Sequence, residues 1–221
     1  MDTADPLANR RPLKTRSHGL AIAAARWLTQ RNISPNQISM LSILFAAIAG
    51  AAFAWRPQLG GGAEAVALLV AAFGIQLRLL CNLLDGMVAV EGGKKTPAGE
   101  LFNDMPDRLA DVFIILGAGY SAPGLPVVEL LGWWAVVLAV LTAYVRVLGV
   151  SVGAGADFRG PMAKQHRMAL LTVTALLSLA EPMFMLDGQF MAVGLAIMVA
   201  GCVVTLFRRT LRIYRCLQPA A

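Results

Sequence analysis

"NLLDGMVAVEGGKKTPAGELFNDMPDRLAD", residues 82–111, decides how this chain is read. It joins the end of one long apolar run to the start of the next. Yet it is dense in polar groups: Asn82, Asp85, Glu91, Asn103, Asp104, Asp107 and Asp111, with Lys94, Lys95 and Arg108 among them. Arg78, Asn82, Asp85 and Ala89 are spaced by four, three and four residues, so on a helix they share one face. Asn103, Asp107 and Asp111, spaced by four, form a second stripe. The glycines and lysines of "EGGKKTPAGE" predict a short reversal that brings the two stripes together.

The composition says where this stretch sits. Of 221 residues, 57% are hydrophobic and 14% charged, whereas a soluble domain carries about 25% charged residues. The mean hydropathy is +0.65. These values exclude an ordinary soluble domain and point to an integral membrane protein. The net charge of +6 reads as attraction to anionic lipid headgroups, with no nucleic acid partner. Cys81, Cys202 and Cys216 are too scattered for a zinc site or a disulfide framework. No secretory signal is expected, because a basic arm precedes the first apolar run and no small-residue cleavage site follows it.

Six apolar runs, roughly 37–55, 64–90, 105–122, 128–151, 168–186 and 189–207, approach the ~20 residues that a spanning helix needs. In "SPNQ", Ser34 is the expected N-cap, Pro35 the first helical residue and Gln37 the partner in a capping box. Residues 19–31 place Leu20, Trp27 and Leu28 on one side, which predicts a short amphipathic helix in the membrane interface. Lys and Arg fall almost wholly in alternate loops and at the termini. The other side holds only Arg56, against Glu64, Glu129, Glu181 and Asp187. That asymmetry puts both termini in the cytoplasm. The expected architecture is all-α and integral to the membrane: a disordered basic arm (1–18), an interfacial helix (19–33) and a six-helix transmembrane domain (34–216). The expected location is the bacterial inner membrane.

The polar stripes then lie at the cytoplasmic boundary. Clustered carboxylates repel one another and need cations. Oxygen donors on neighbouring helices suit Mg²⁺ or Mn²⁺, especially where a substrate phosphate completes the shell. A plainer reading stays open. Asn103 or Asp104 could cap a helix with Pro106 in its first turn, while Asp85 pairs with Arg78 and Asp111 with Arg108.

The spacing resembles the CDP-alcohol phosphotransferases, which carry D-x2-D-G-x2-A-R-x8-G-x3-D-x3-D across two membrane helices. Asp85, Gly86, Ala89, Gly99 and Asp107 match; Asn82, Val90 and Asn103 replace two aspartates and an arginine, with no gap in the register. The resemblance implies six spans, a homodimer and a CDP-linked lipid donor, most simply CDP-diacylglycerol. It also implies a polar alcohol acceptor, release of CMP, and one or two Mg²⁺ or Mn²⁺ ions. By the same resemblance Asp107 is the candidate catalytic base. Asp85, Asp107, Asn82, Asn103 and Asp104 are candidate metal ligands, and Gly86, Ala89, Gly99 and Asn82 would line the nucleotide.

Arg146, deep in the fourth run, is expected to face the bundle interior. With Lys164, Arg108 and Arg159 it forms the candidate phosphate-binding group. For Arg159 and Arg167, ordinary positive-inside signalling competes with that role. Two other readings remain: a catalytically altered relative that binds nucleotide or lipid for a partner in lipid handling, and a small transporter. The transporter is disfavoured, because the charges gather on one side and no internal repeat is visible.

Overall fold

The computed structural model describes residues 19–91, 93 and 99–218. The arm at 1–18 and the two lysines of the reversal lie outside the described residues. All regular structure among the described residues is helical: α1 (Gly19–Gln30), α2 (Pro35–Trp55), α3 (Gly62–Glu91), α4 (Gly99–Gly119), α5 (Pro126–Ser151), α6 (Lys164–Ser178) and α7 (Gln189–Leu217). The six longer helices close into a ring. α2 packs on α3, α3 on α6, α6 on α7, α7 on α5, α5 on α4, and α4 returns to α2. α1 lies against α3 through Ala25 and leaves Leu20 and Trp27 exposed.

The entry to α2 forms as the sequence predicts. The Ser34 Oγ accepts from the Gln37 N–H at 3.2 Å, and the Gln37 Oε1 accepts from the Ser34 N–H at 2.9 Å, with Pro35 in the first turn.

Six spans are expected from the sequence; four helical segments are long and apolar enough to cross a membrane, Pro35–Gln58, Gly62–Val90, Pro126–Ser151 and Gln189–Leu217. α4 fails on polarity, because Asp104, Asp107, Arg108 and Asp111 lie within it. α6 fails on length. Its 15 residues rise about 22 Å, short of the ~30 Å hydrocarbon core. α6 starts at Lys164 and stops at Ser178, earlier at both ends than its apolar run. A 3₁₀ turn, Glu181–Phe184, with Pro182 near its start, takes up the remainder. α4 also starts earlier than its apolar run, so Pro106 sits inside the helix, not in its first turn. There it leaves the Phe102 carbonyl without its helical donor, one residue before Asp107. α7 runs past 207 to Leu217, so Arg208, Arg209, Arg212 and Arg215 belong to the helix itself.

Small residues hold the ring tight. Gly50 of α2 faces α4 so closely that a Cβ there would collide with the Phe113 carbonyl; a Cβ on Gly117 would strike the Gly50 backbone. Close backbone contact of this kind supplies packing energy where lipid offers no hydrophobic drive. At the end of the ring where α2 finishes, a buried ion pair fastens it. Arg56 and Glu181 are 4% and 0% exposed. The Arg56 Nη2 donates to the Glu181 Oε2 at 3.0 Å. Glu181 also accepts from the backbone N–H groups of Gly188 and Phe190, at 3.1 and 2.9 Å. The end of α2 is thereby tied to the turn between α6 and α7.

Glu181→Ala removes the nearest partner of Arg56, leaving Glu64 at 3.7 Å and Asp187 at 3.9 Å, and is expected to cost about 1–3 kcal/mol, read as a lower unfolding temperature in detergent. Gly50→Val is expected to cost about 1–3 kcal/mol or more through overpacking, measured in the same way.

Candidate active site

The polar face of α3 meets α4, α5 and α6 inside the ring. Arg78 is wholly buried. Its Nη2 donates to the Asp107 Oδ1 at 3.3 Å and to the Asp111 Oδ1 at 2.8 Å. The other Asp111 oxygen accepts from the Arg167 Nη2 at 2.6 Å. Arg167 also donates to the Met162 carbonyl at 3.0 Å and to the Thr142 Oγ1 at 3.3 Å, which brings α5 into the network. The Thr142 carbonyl in turn accepts from Arg209 of α7 at 2.7 Å. Asp111 is thus enclosed by two guanidinium groups, and both its oxygens are used.

Asp107 lies one turn nearer the start of α4 and is 5% exposed. Its Oδ1 accepts from the Asn82 Nδ2 at 2.7 Å as well as from Arg78. Its Oδ2 is bonded to the Lys164 ammonium, from the first residue of α6, whose side chain is 26% exposed. One oxygen is therefore fixed within the protein, and the other faces a cation that solvent can reach. Asp85, one helical step from Asn82, is buried, and its Oδ2 accepts from the Ser39 Oγ of α2 at 2.8 Å. Asn82, Gly86, Ala89 and Val90 form a half-buried line along α3 below Arg78.

A second group stands beside this one. The Arg146 Nη2 meets the Asp104 Oδ1 at 2.6 Å, and Arg108 approaches the same oxygen at 3.6 Å. The Arg146 guanidinium lies over the Phe158 ring at 5.7 Å. All three charged side chains are partly exposed, so they border an opening rather than a core.

The structure thus brings Asn82, Asp107 and Lys164 together, and Asp104, Arg108 and Arg146 together, with Asp85 nearby. The charges of Asp107 and Lys164 both act on Asp85. Asn103 is exposed at the start of α4, and Gly99 opens that helix. Arg159 turns away to Asp157, 3.2 Å distant, while its carbonyl accepts from Arg209. Burial opposes the charge on Asp157. The Arg159 N–H, the Arg159 guanidinium and the Arg212 charge outweigh it and hold the carboxyl below its usual range. The simple pairs Asp85–Arg78 and Asp111–Arg108 do not form; Arg78 takes Asp107 and Asp111, and Asp111 takes Arg167. Sequence reasoning weighed Arg167 only as a phosphate ligand or a positive-inside charge and missed its buried pairing with Asp111. Its one signal was its place three residues after Lys164, on the same face of a helix.

Residues 32–207 match the family described as CDP-alcohol phosphatidyltransferase. The bifunctional IPC transferase and DIPP synthase of Rubrobacter xylanophilus is 33% identical over 115 residues, covering 52% of this chain. The match takes in only 24% of that relative's length. Two structures of the Mycobacterium tuberculosis phosphatidylinositol phosphate synthase share the fold. The one with CDP-DAG bound has a TM-score of 0.72 at 19% identity, covering 92% of this chain and 100% of that one. The one in complex with manganese and citrate has a TM-score of 0.72 at 20% identity, covering 91% and 93%.

The second of these neighbours holds manganese, and the resemblance implies Mg²⁺ or Mn²⁺ for this chain. Among the described residues, no three His, Cys, Asp or Glu side chains converge on a point where an ion could be held. Both Asp107 oxygens are occupied by protein donors. Asp104 is engaged by Arg146, and Asn82 and Asn103 carry no charge. As arranged, these residues do not fit a two-ion centre. The family match nonetheless spans most of the chain, the ring fold is shared, and the motif register is unbroken from Asn82 to Asp107. This chain belongs to the CDP-alcohol phosphatidyltransferase family.

Proposed function

We propose that this chain is an integral membrane transferase that moves a phosphoryl-linked lipid group from a CDP-linked donor, CDP-diacylglycerol, to a polar alcohol. The observation that carries this reading is the asymmetric setting of Asp107. Its Oδ1 is held by Arg78 and Asn82, and its Oδ2 meets only the partly exposed Lys164 and, at 3.9 Å, Arg108.

Phosphoryl transfer asks a protein mainly for positioning and charge neutralisation. In this reading Lys164 turns from the Asp107 Oδ2 toward the donor diphosphate as it arrives. The freed oxygen then takes the proton of the acceptor hydroxyl. The alcohol oxygen bonds to the phosphorus that carries the lipid, the anhydride bond to the other phosphorus breaks, and CMP leaves. The half-buried line of Asn82, Gly86 and Ala89 gives the nucleotide a close approach to the α3 backbone, with Gly99 at the mouth. Arg146 and Arg108, beside the opening, favour an acceptor that itself bears a phosphate, because guanidinium groups bind such oxygens in pairs. Of the Mg²⁺ or Mn²⁺ that relatives use, this donor set leaves room for at most one ion, near Asp85.

The orientation follows from charge. The site and both termini face the cytoplasm of the bacterial inner membrane, and α1 lies in the interface with Trp27 outward. A homodimer is the assembly that the family resemblance implies. A specific observation favours a second reading. Asn82, Asn103 and Val90 have lost three charges of the motif, as a relative that only binds nucleotide or lipid would.

CMP release from proteoliposomes holding CDP-diacylglycerol and pooled alcohols separates the two. Release is expected with the wild-type chain, and Asp107→Asn is expected to reduce it by roughly 10²–10⁴-fold while the fold is kept. No release from folded protein that CDP-lipid still stabilises would establish the binding-only reading. Arg146→Ala is expected to raise KM for a phosphate-bearing acceptor by about tenfold or more, with little change for an uncharged alcohol.

A further inference from the structure

Lys164 occupies a place that electrostatics reserves for a cation. Asp107 and Asp85 are buried carboxylates at positions where the motif carries acids, and Asn82 and Asn103 are amides at the other two. Buried carboxylates require positive charge close by. Here the protein provides it. Asp107 and Asp111 pair with Arg78, Arg167 and Lys164, with Arg108 at 3.9 Å from Asp107 and Asp85 bonded to Ser39, so the carboxylates are matched by the protein's own cations before any ligand enters. Arg167 is taken by Asp111, and Arg78 is shared between Asp111 and the inner oxygen of Asp107, which leaves Lys164 as the nearest charge on the outer oxygen, with Arg108 at 3.9 Å.

Two divalent ions added to this cluster would leave it strongly positive. A single ion would balance the two negative charges that the donor diphosphate brings. The substitutions agree with this arithmetic. Turning Asn82 and Asn103 from acids to amides removes the charge that a second ion would need. The Asn82 amide also turns its nitrogen to Asp107 at 2.7 Å, the donor end rather than the metal-binding end.

We infer that Lys164 stands where a second divalent cation would otherwise sit, so that this chain binds no more than one ion and holds Asp107 with its own ammonium group. The inference rests on reading this cluster as the transfer site, but it can fail separately, because it concerns ion binding without turnover.

The test is Mn²⁺ binding to the full chain in nanodiscs, followed by the loss of the free-ion electron paramagnetic resonance signal, with no substrate present. The wild-type chain is expected to bind one ion or none. Lys164→Met and Lys164→Gln, which remove the competing charge, are expected to bind Mn²⁺ at least tenfold more tightly. Their unfolding temperature, lowered in chelator, should recover on adding Mn²⁺, while that of the wild type should shift little. Adding Asn82→Asp and Asn103→Asp to Lys164→Met should raise the count to two. Two ions on the wild-type chain would overturn the inference, as would Lys164 variants that fold and bind Mn²⁺ no better than wild type. If neither Lys164 variant folds, the wild-type count alone decides. CMP release is read separately, so failure of the transferase reading cannot be mistaken for failure here.

Discussion

An arginine buried in a membrane helix has to be paid for, and the structure follows from how Arg78 is satisfied. Arg78 is fully enclosed, and two of its nitrogens, Nε and Nη1, have no partner among the described residues. Its whole compensation comes through Nη2, shared between Asp107 and Asp111. Asp111 in turn needs Arg167, and Arg167 draws in Thr142 and the Met162 carbonyl. One buried charge on α3 thereby fixes the approach of α4, α5 and α6. α3 and α4 are joined in sequence, yet they pack chiefly on α2 and on their other ring neighbours. The charge network is what brings their polar faces to the same place.

This network divides the work between two aspartates one turn apart. Asp111 has both oxygens closed by buried guanidinium groups and serves to hold the helices. Asp107 has one oxygen closed and one facing Lys164, whose long side chain reaches solvent and can exchange partners at small cost. The same division appears in length and polarity. α4 falls short as a membrane span because it carries Asp104, Asp107, Arg108 and Asp111, and α6 because it is only 15 residues long, with Lys164 and Arg167 in its first turn. Those residues serve the site instead of the lipid. The opposite end has no such compromise: Arg56 and Glu181 close on each other, and Glu181 on two backbone amides.

Much of this was legible in the sequence. The apolar runs located all six long helices, "SPNQ" specified the capping box, and the stripes of α3 and α4 pointed to the cluster. The failures share a physical cause. Hydropathy counts a charge without its direction, so Arg167 reads equally as a positive-inside charge, although it is buried and bonded across helices, as Arg209 is. The stripe Asn103–Asp107–Asp111 was right for its last two members. At the start of α4 it is Asp104 that finds a partner, in Arg146, while Asn103 is exposed. Helix spacing says which residues share a face. Which of two adjacent residues is engaged depends on the neighbouring helix, here α5. Lys164 was read as a phosphate ligand because cationic loops suggest anions. Its pairing with Asp107 depends on how α6 is placed, which periodicity does not encode.

The most direct test compares unfolding of Asp111→Asn and Asp107→Asn in lipid nanodiscs by thermal denaturation. If Asp111 carries the fold and Asp107 is kept for chemistry, Asp111→Asn leaves two buried guanidinium groups short of a partner. It should then lose about 3–5 kcal/mol. Asp107→Asn should stay near wild type, because Arg78 keeps Asp111 and Lys164 can return to solvent. Equal losses for the two variants, or a larger loss for Asp107→Asn, would contradict this division and the central place given to Arg78.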